Sequence, residues 1–169
     1  MHPLFFKDID APVGKIRLIA SDKGLAAILW EGEDYKRTKL EEPIENNTHR
    51  ILRLVEQQLN EYFAKNRTKF DVPFDFVGTE FQIKVWEALL KITFGKTKNY
   101  GGLAQLLGDP KAVRAVGGAL NKNPISIIIP CHRVVGADGN MIGFAGGIKN
   151  KQILLELESS VKDQTLFHL

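Results

Sequence analysis

The sequence predicts an α/β chain in two parts. A small mixed domain at 1–77 ends in a linker, and a mostly helical domain at 78–169 carries a helix-turn-helix outline. Three observations predict this. Apolar residues alternate early in the chain and recur at helical spacing from Ile51 onward. Glycine, proline and asparagine then cut the second half into short helical pieces. With 169 residues, 44% hydrophobic and 25% charged, the chain has the composition of a globular protein and the length of one ordinary domain or two small ones.

In the first half, Ile16, Leu18 and Ala20 alternate with Lys15, Arg17 and Ile19. A turn at Ser21-Asp22-Lys23-Gly24 leads into a second apolar run, Leu25 to Trp30, which together predict a hairpin. The polar stretch from Glu31 to Asn47 reads as loop or weak strand. Thr48 is the expected cap of a helix whose stripe is Ile51, Leu52, Val55, Leu59, Tyr62 and Phe63. Residues 64–78, with Pro73 and Gly78, read as the linker.

In the second half, Phe81, Val85, Trp86, Leu89 and Ile92 form a helical stripe after Thr79. A short helix is expected from Tyr100 to Leu107, stopping at Gly108. Asp109 and Pro110 then supply an N-cap and a first-turn proline for a helix from Pro110 to Leu120. Helix, glycine turn, helix is the outline of a helix-turn-helix, and any compact helical corner shares it. The second helix has Val113 and Val116 as its apolar side. Ala112, Ala115, Gly117, Gly118 and Ala119 are tiny, and Arg114 is the one long cation projecting from that small-residue surface. Such a surface suits close packing on a neighbouring helix or close approach to a large partner.

Beyond Asn123-Pro124 an isoleucine-rich, strand-like run at 125–129 ends at Pro130, and Cys131-His132-Arg133 follow. This is the chain's one cysteine, so no disulfide and no zinc site with two thiolates is possible. A lone thiol is either an inert buried group or a nucleophile. The second requires a nearby cation, base or helix N-terminus. His132 is a candidate base. On an extended chain, however, neighbouring side chains point opposite ways, so a bridging water is plausible. A hairpin-like loop at 134–142 and a flexible Gly143–Gly147 segment with Phe144 follow. The last helix is expected at 150–159, with Ile153, Leu154 and Leu157 on its core stripe. Glu158 lies one turn after Leu154, where it either faces inward toward His132 or is an ordinary exposed glutamate.

Net charge is +3. Residues 84–123 hold seven Lys and Arg against two Asp and Glu. That excess fits a phosphate-rich partner or a solvated lysine face. No window is long and apolar enough for a membrane helix, and the start MHPLFFKDIDAP lacks the cationic region of a secretory signal. A cytoplasmic or nucleoid-associated protein without membrane contact is expected.

The run NPISIIIPCHRVVGADG, with RAVGGAL before it and GFAGGIKNKQILLELE after it, closely resembles the methylated-DNA–protein-cysteine S-methyltransferases, or O6-alkylguanine-DNA alkyltransferases. GTEFQIKVWEALLKI and NYGGLAQLLGDPKAVRAVGGA match as well, so the resemblance covers residues 78–158. It implies a ribonuclease-H-like first domain and a winged helix-turn-helix-like second one. It implies a monomer that repairs double-stranded DNA by moving the alkyl group of O6-alkylguanine, and of O4-alkylthymine, irreversibly to Cys131.

In that scheme His132 acts as base through a water, and Glu158 orients it. Asn123 holds the thiol turn. Tyr100 contacts phosphate and helps protonate the leaving guanine. Arg114 replaces the flipped nucleotide in the stack, on a surface made by Ala115, Gly117 and Gly118. Leu120, Val134, Phe144 and Ala145 line the base pocket. No cofactor or metal is needed: the first domain offers only His2 and His49 where some relatives bind zinc through cysteines as well. Phe144 and Ala145 stand where relatives have tyrosine and serine, which removes two hydroxyl groups from the pocket. A non-catalytic binder of alkylated DNA and a cysteine hydrolase using Cys131, His132 and Glu158 are the competing readings.

Overall fold

The computed structural model describes residues 2–33, 38–136, 144 and 146–167, with side chains to residue 160. The chain divides into two compact units: Met1–Gly78 with Pro124–Ile128, and Thr79–Asn123 with Ile129–Leu169.

The first unit holds a mixed sheet of β1 (Phe5–Ala11), β2 (Gly14–Ala20), β3 (Leu25–Trp30) and β4 (Ile44–Glu45), in the order β3-β2-β1-β4. The hairpin expected at 15–30 forms as β2 and β3. Its partner β1, which alternation did not reveal, pairs antiparallel with β2, and β4 runs parallel to β1. Every residue of β3 is buried, so its pattern is a continuous apolar run rather than an alternation. Helix α1 (Arg50–Phe63) lies against β1, β2 and β3. It buries Ile51, Leu52, Val55, Leu59 and Tyr62 of the expected stripe, while Phe63 at its end is half-buried. The cap differs from the expectation. His49 is the N-cap, and the Thr48 hydroxyl is engaged with Asn46 Oδ1 at 3.1 Å.

Residues 64–78 do not behave as a linker. Gln58, buried on α1, clamps Asp71 from both sides: its amide donates to the Asp71 carbonyl at 2.9 Å and its oxygen accepts the Asp71 N–H at 2.8 Å. The strap then pairs with β3. Leu25 N–H donates to Pro73 O at 2.8 Å, and Asp75 N–H to Leu25 O at 2.9 Å. A Cβ at Gly24 would lie 2.6 Å from the Phe74 carbonyl carbon and 2.8 Å from that of Pro73, which only glycine accommodates.

The isoleucine run is not a strand either. Ile125 makes a single bridge to Ile28, and the chain then turns. Ile127 has φ +76°, costly for a β-branched residue, and Ile128 N–H closes a three-residue turn onto Ser126 O at 2.9 Å. The burial of this run reflects packing and the Ser126 hydroxyl's bond from the Trp30 indole at 3.3 Å.

The second unit contains α2 (Glu80–Leu89), β5 (Lys98–Asn99), α3 (Tyr100–Leu106), α4 (Val113–Asn121), β6 (Val134–Val135) and α5 (Ile148–Phe167). Thr79 and Gln82 form a reciprocal capping box that starts α2. Helices α2, α3 and α4 pack on one another, and β5 pairs parallel with β6. α4 starts three residues later than expected. The Asp109 carboxylate accepts the Lys111 N–H at 3.2 Å, a tight local turn that uses up the predicted cap. Val113, expected inside, is 40% exposed, and Val116 is buried. Among the described residues no helix is long and apolar enough to cross a membrane.

Gly24→Ala is expected to lower stability by about 1–3 kcal/mol, because the added methyl meets backbone that cannot yield cheaply. Urea unfolding measures this, and an unchanged midpoint would show that the strap is not clamped.

Candidate active site

The thiol is placed by one carbonyl. Buried Asn123, just past α4, donates its side-chain N–H to Ile129 O at 3.0 Å, and Cys131 N–H donates to the same oxygen at 2.8 Å. Both lone pairs of Ile129 O are thereby engaged, which fixes the chain as it leaves Pro130. Residues Cys131–Arg133 form one turn of 3-10 helix, not the extended chain expected. At three residues per turn, Cys131 and His132 diverge by about 120° rather than pointing opposite ways. Cys131 is partly exposed, and His132 is fully buried.

His132 meets Glu158 from α5: Nε2 lies 2.7 Å from Oε2. Arg133, which the sequence reading passed over, completes the cluster. Its Nε donates to Glu158 Oε1 at 2.8 Å and a terminal nitrogen to Oε2 at 3.0 Å, a bidentate pair. Its other terminal nitrogen donates to Ile92 O at 2.6 Å, and the guanidinium lies 5.7 Å from the Phe94 ring. Lys151, also passed over, is buried on α5 and donates its amine to Val134 O at 2.6 Å. A signal for Lys151 existed, since it shares the helical face of Leu154 and Glu158. Arg133 carried none beyond its place beside His132.

The charges settle one another. Burial pushes the Glu158 carboxyl upward, yet the hydrogen bonds and charges of His132 and Arg133 outweigh it and hold its pKa at about 2. Burial pushes the His132 imidazole below its ordinary value, with Arg133 and Lys151 acting the same way against the pull of Glu158. Glu158 is thus an acceptor only, and a neutral His132 must donate from Nε2. Its Nδ1, buried and without a hydrogen bond among the described residues, keeps a basic lone pair. Burial, and secondly the charge of Cys131, raises the Tyr100 hydroxyl pKa, so that group stays a proton donor.

Tyr100 opens α3, whose cap is the Asn99 carboxamide accepting Gly102 N–H at 2.7 Å. On α4, Arg114, Ala115 and Gly118 are exposed, and Gly117 is half-buried, its α-carbon side facing the Tyr100 ring. Val116, Ala119 and Leu120 face the helical core, where the Trp86 indole donates to Ala119 O at 3.0 Å. Val134 is buried and Phe144 partly so. Ala145 and most of the loop expected at 134–142 lie outside the described residues. In the first unit His49 stacks on Phe5 and pairs with Asp22 at 2.9 Å.

Fold and site together define a thiol-dependent protein on a helix-turn-helix frame. Two family models match: the ribonuclease-like domain of 6-O-methylguanine DNA methyltransferase over residues 4–76, and the DNA binding domain of that methyltransferase over residues 80–160. The methylated-DNA–protein-cysteine methyltransferase of Mycobacterium tuberculosis is 42% identical over 166 residues, 97% of this chain and 99% of that protein. The one from Methanosarcina acetivorans is 42% identical, over 93% of this chain and 99% of that protein. The crystal structure of Mycobacterium tuberculosis OGT in complex with DNA superposes with TM-score 0.85 at 41% identity, over 96% of this chain and 99% of that one. The chain belongs to the 6-O-methylguanine DNA methyltransferase family.

Stability should fall in acid in two stages. A group whose pKa is lower folded than unfolded binds fewer protons when folded, so stability drops as the pH falls through that interval. His132 begins the loss as the pH passes below its ordinary 6.5. Glu158 adds to it between 4.5 and about 2. Urea midpoints measured against pH should show both stages, with the lower one diminished in Glu158→Gln. A midpoint independent of pH through this range would contradict the buried neutral imidazole.

Proposed function

We propose that this protein repairs DNA directly, taking the alkyl group of O6-alkylguanine, and of O4-alkylthymine, onto its own Cys131. One observation carries the reading. The chain's one cysteine sits partly exposed on a turn whose next side chain is a buried imidazole pinned to Glu158. The family models and the DNA complex of the Mycobacterium tuberculosis relative support the substrate.

The steps follow from the residues. The thiol proton passes through a water to His132 Nδ1. The sulfur attacks the alkyl carbon, an S–C bond forms, and the C–O6 bond breaks with its electron pair left on guanine. Tyr100 gives its proton to the leaving guanine and is restored by the proton held on His132, so no cofactor is consumed. The thioether does not revert, and each molecule acts once.

The target atom is inaccessible in a duplex, so the base must be swung out, at a cost of a few kcal/mol. Arg114, standing on the small-residue surface of Ala115, Gly117 and Gly118, fills the gap it leaves. In this reading Leu120, Val134 and Phe144 line the base pocket. The domain at 1–77 is structural and the one at 78–169 binds DNA and holds the site. The protein works as a monomer wherever the cell keeps its DNA, in the cytoplasm or nucleoid.

Mass spectrometry after mixing with a duplex bearing O6-methylguanine should find one stable methyl group on the peptide holding Cys131. An unmodified peptide with tight DNA binding would favour a non-catalytic binder instead. Arg114→Ala should slow repair of duplex DNA by roughly ten- to a hundredfold, the rate equivalent of losing a few kcal/mol of base-flipping support. Its reaction with free alkylguanine should change little, and equal losses on both substrates would remove Arg114 from the flipping step.

A further inference from the structure

Residues Pro124–Ile128 lie in sequence between two stretches of the second unit, yet they fold with the first. The strand β3 holds this loop at two points. It is an edge strand of its sheet, and Ile28 is wholly buried, so the Ile28 N–H needs a partner from outside the sheet. Pro124 O supplies it at 2.8 Å, beside the bridge between Ile125 and Ile28. Two residues further along β3, the Trp30 indole N–H donates to the buried Ser126 hydroxyl at 3.3 Å.

The loop needs such holding. Ile127, next after Ser126, has φ +76°, a left-handed conformation that a β-branched residue keeps only where its surroundings over-determine it. Ile128 N–H turns back onto Ser126 O at 2.9 Å. The next carbonyl along the chain is Ile129 O, which accepts the Asn123 side chain at 3.0 Å and the Cys131 N–H at 2.8 Å. Ser126 is therefore three residues from the carbonyl that anchors the thiol turn.

We propose that Trp30 and Ser126 are positioning residues for Cys131: their hydrogen bond holds the loop in its strained form, and so sets the Ile129 carbonyl on which the thiol turn is built. The proposal rests on the alkyl-transfer reading for the use of that thiol. It gives one side chain of β3 a part in the reaction, passed along the chain from Ser126 to Cys131 rather than by touching the sulfur.

Two variants remove the bond from opposite sides. Trp30→Phe deletes the donor and keeps a ring, and Ser126→Ala deletes the acceptor at nearly the same volume. The whole protein is first read without DNA, by NMR. The Cys131 amide proton, deshielded by its bond to Ile129 O, should move upfield in both variants as that bond lengthens, while the amide protons of α5 stay in place. A loss of overall stability does not move a native resonance. An unmoved Cys131 resonance in Ser126→Ala would overturn the proposal.

The second readout is single-turnover repair of a duplex bearing O6-methylguanine. In each variant the rate at saturating DNA should fall by about three- to tenfold, with the half-saturating concentration unchanged, because a misplaced nucleophile slows the chemical step and not binding. The double variant should be no slower than the slower single one, since both lose the same bond. Weaker DNA binding at an unchanged saturating rate, or losses that multiply in the double variant, would overturn the proposal. A parent protein whose Cys131 is not methylated by the duplex would defeat the repair reading alone, and an unmoved Cys131 resonance would defeat the Trp30–Ser126 proposal alone.

Discussion

The bond between the His132 imidazole and the Glu158 carboxylate, both buried, is the interaction on which the site depends. Taking a carboxylate out of water costs several kcal/mol, and one hydrogen bond does not offset that. Arg133 does, through two further hydrogen bonds and a full opposite charge. The guanidinium is itself held by Ile92 O just beyond α2. The reactive centre is thus tied to the same helix whose Trp86 indole holds α4 at Ala119. Removing one member of such a cluster leaves an unpaired buried charge, and that makes the arrangement rigid as well as costly.

Rigidity here has a chemical use. An ionised Glu158 can only accept, which leaves His132 one neutral tautomer. The basic lone pair then sits on Nδ1, away from the carboxylate, on the residue next to the thiol. Ile129 O performs the matching task for the thiol, by accepting from Asn123 and from Cys131 itself. Two anchors, one for the base and one for the nucleophile, reach the same turn from α5 and from the end of α4.

Much of this was legible in the residues, and the gaps have physical causes. The stripes of α1 and α2 and the glycine stop after α3 follow from spacing. Strand β1 was hidden because FFKDIDA looks too charged for a strand. Asp8 faces Arg17 across the sheet in a bidentate pair at 2.8 and 3.1 Å, and that guanidinium sits 3.8 Å over the Phe6 ring. The supposed linker packs because Gln58, a polar residue on a buried face, satisfies backbone that sequence periodicity does not report. The isoleucine run read as a strand because β-branched residues favour one, and the positive φ at Ile127 is set by packing against that preference. In the site, Cys131, His132, Asn123 and Glu158 came from motif and resemblance. Arg133 came only from the fold, because a charged residue announces nothing about its own burial, and Lys151 was marked only by the helical face it shares with Leu154 and Glu158.

The most direct test of this account is the protonation state of His132 at neutral pH, read from ¹⁵N chemical shifts of histidine-labelled protein. A neutral ring protonated on Nε2 with a bare Nδ1 is the predicted result. A fully protonated ring, or a neutral ring with its proton on Nδ1, would contradict the account, because neither leaves Nδ1 free to take the thiol proton.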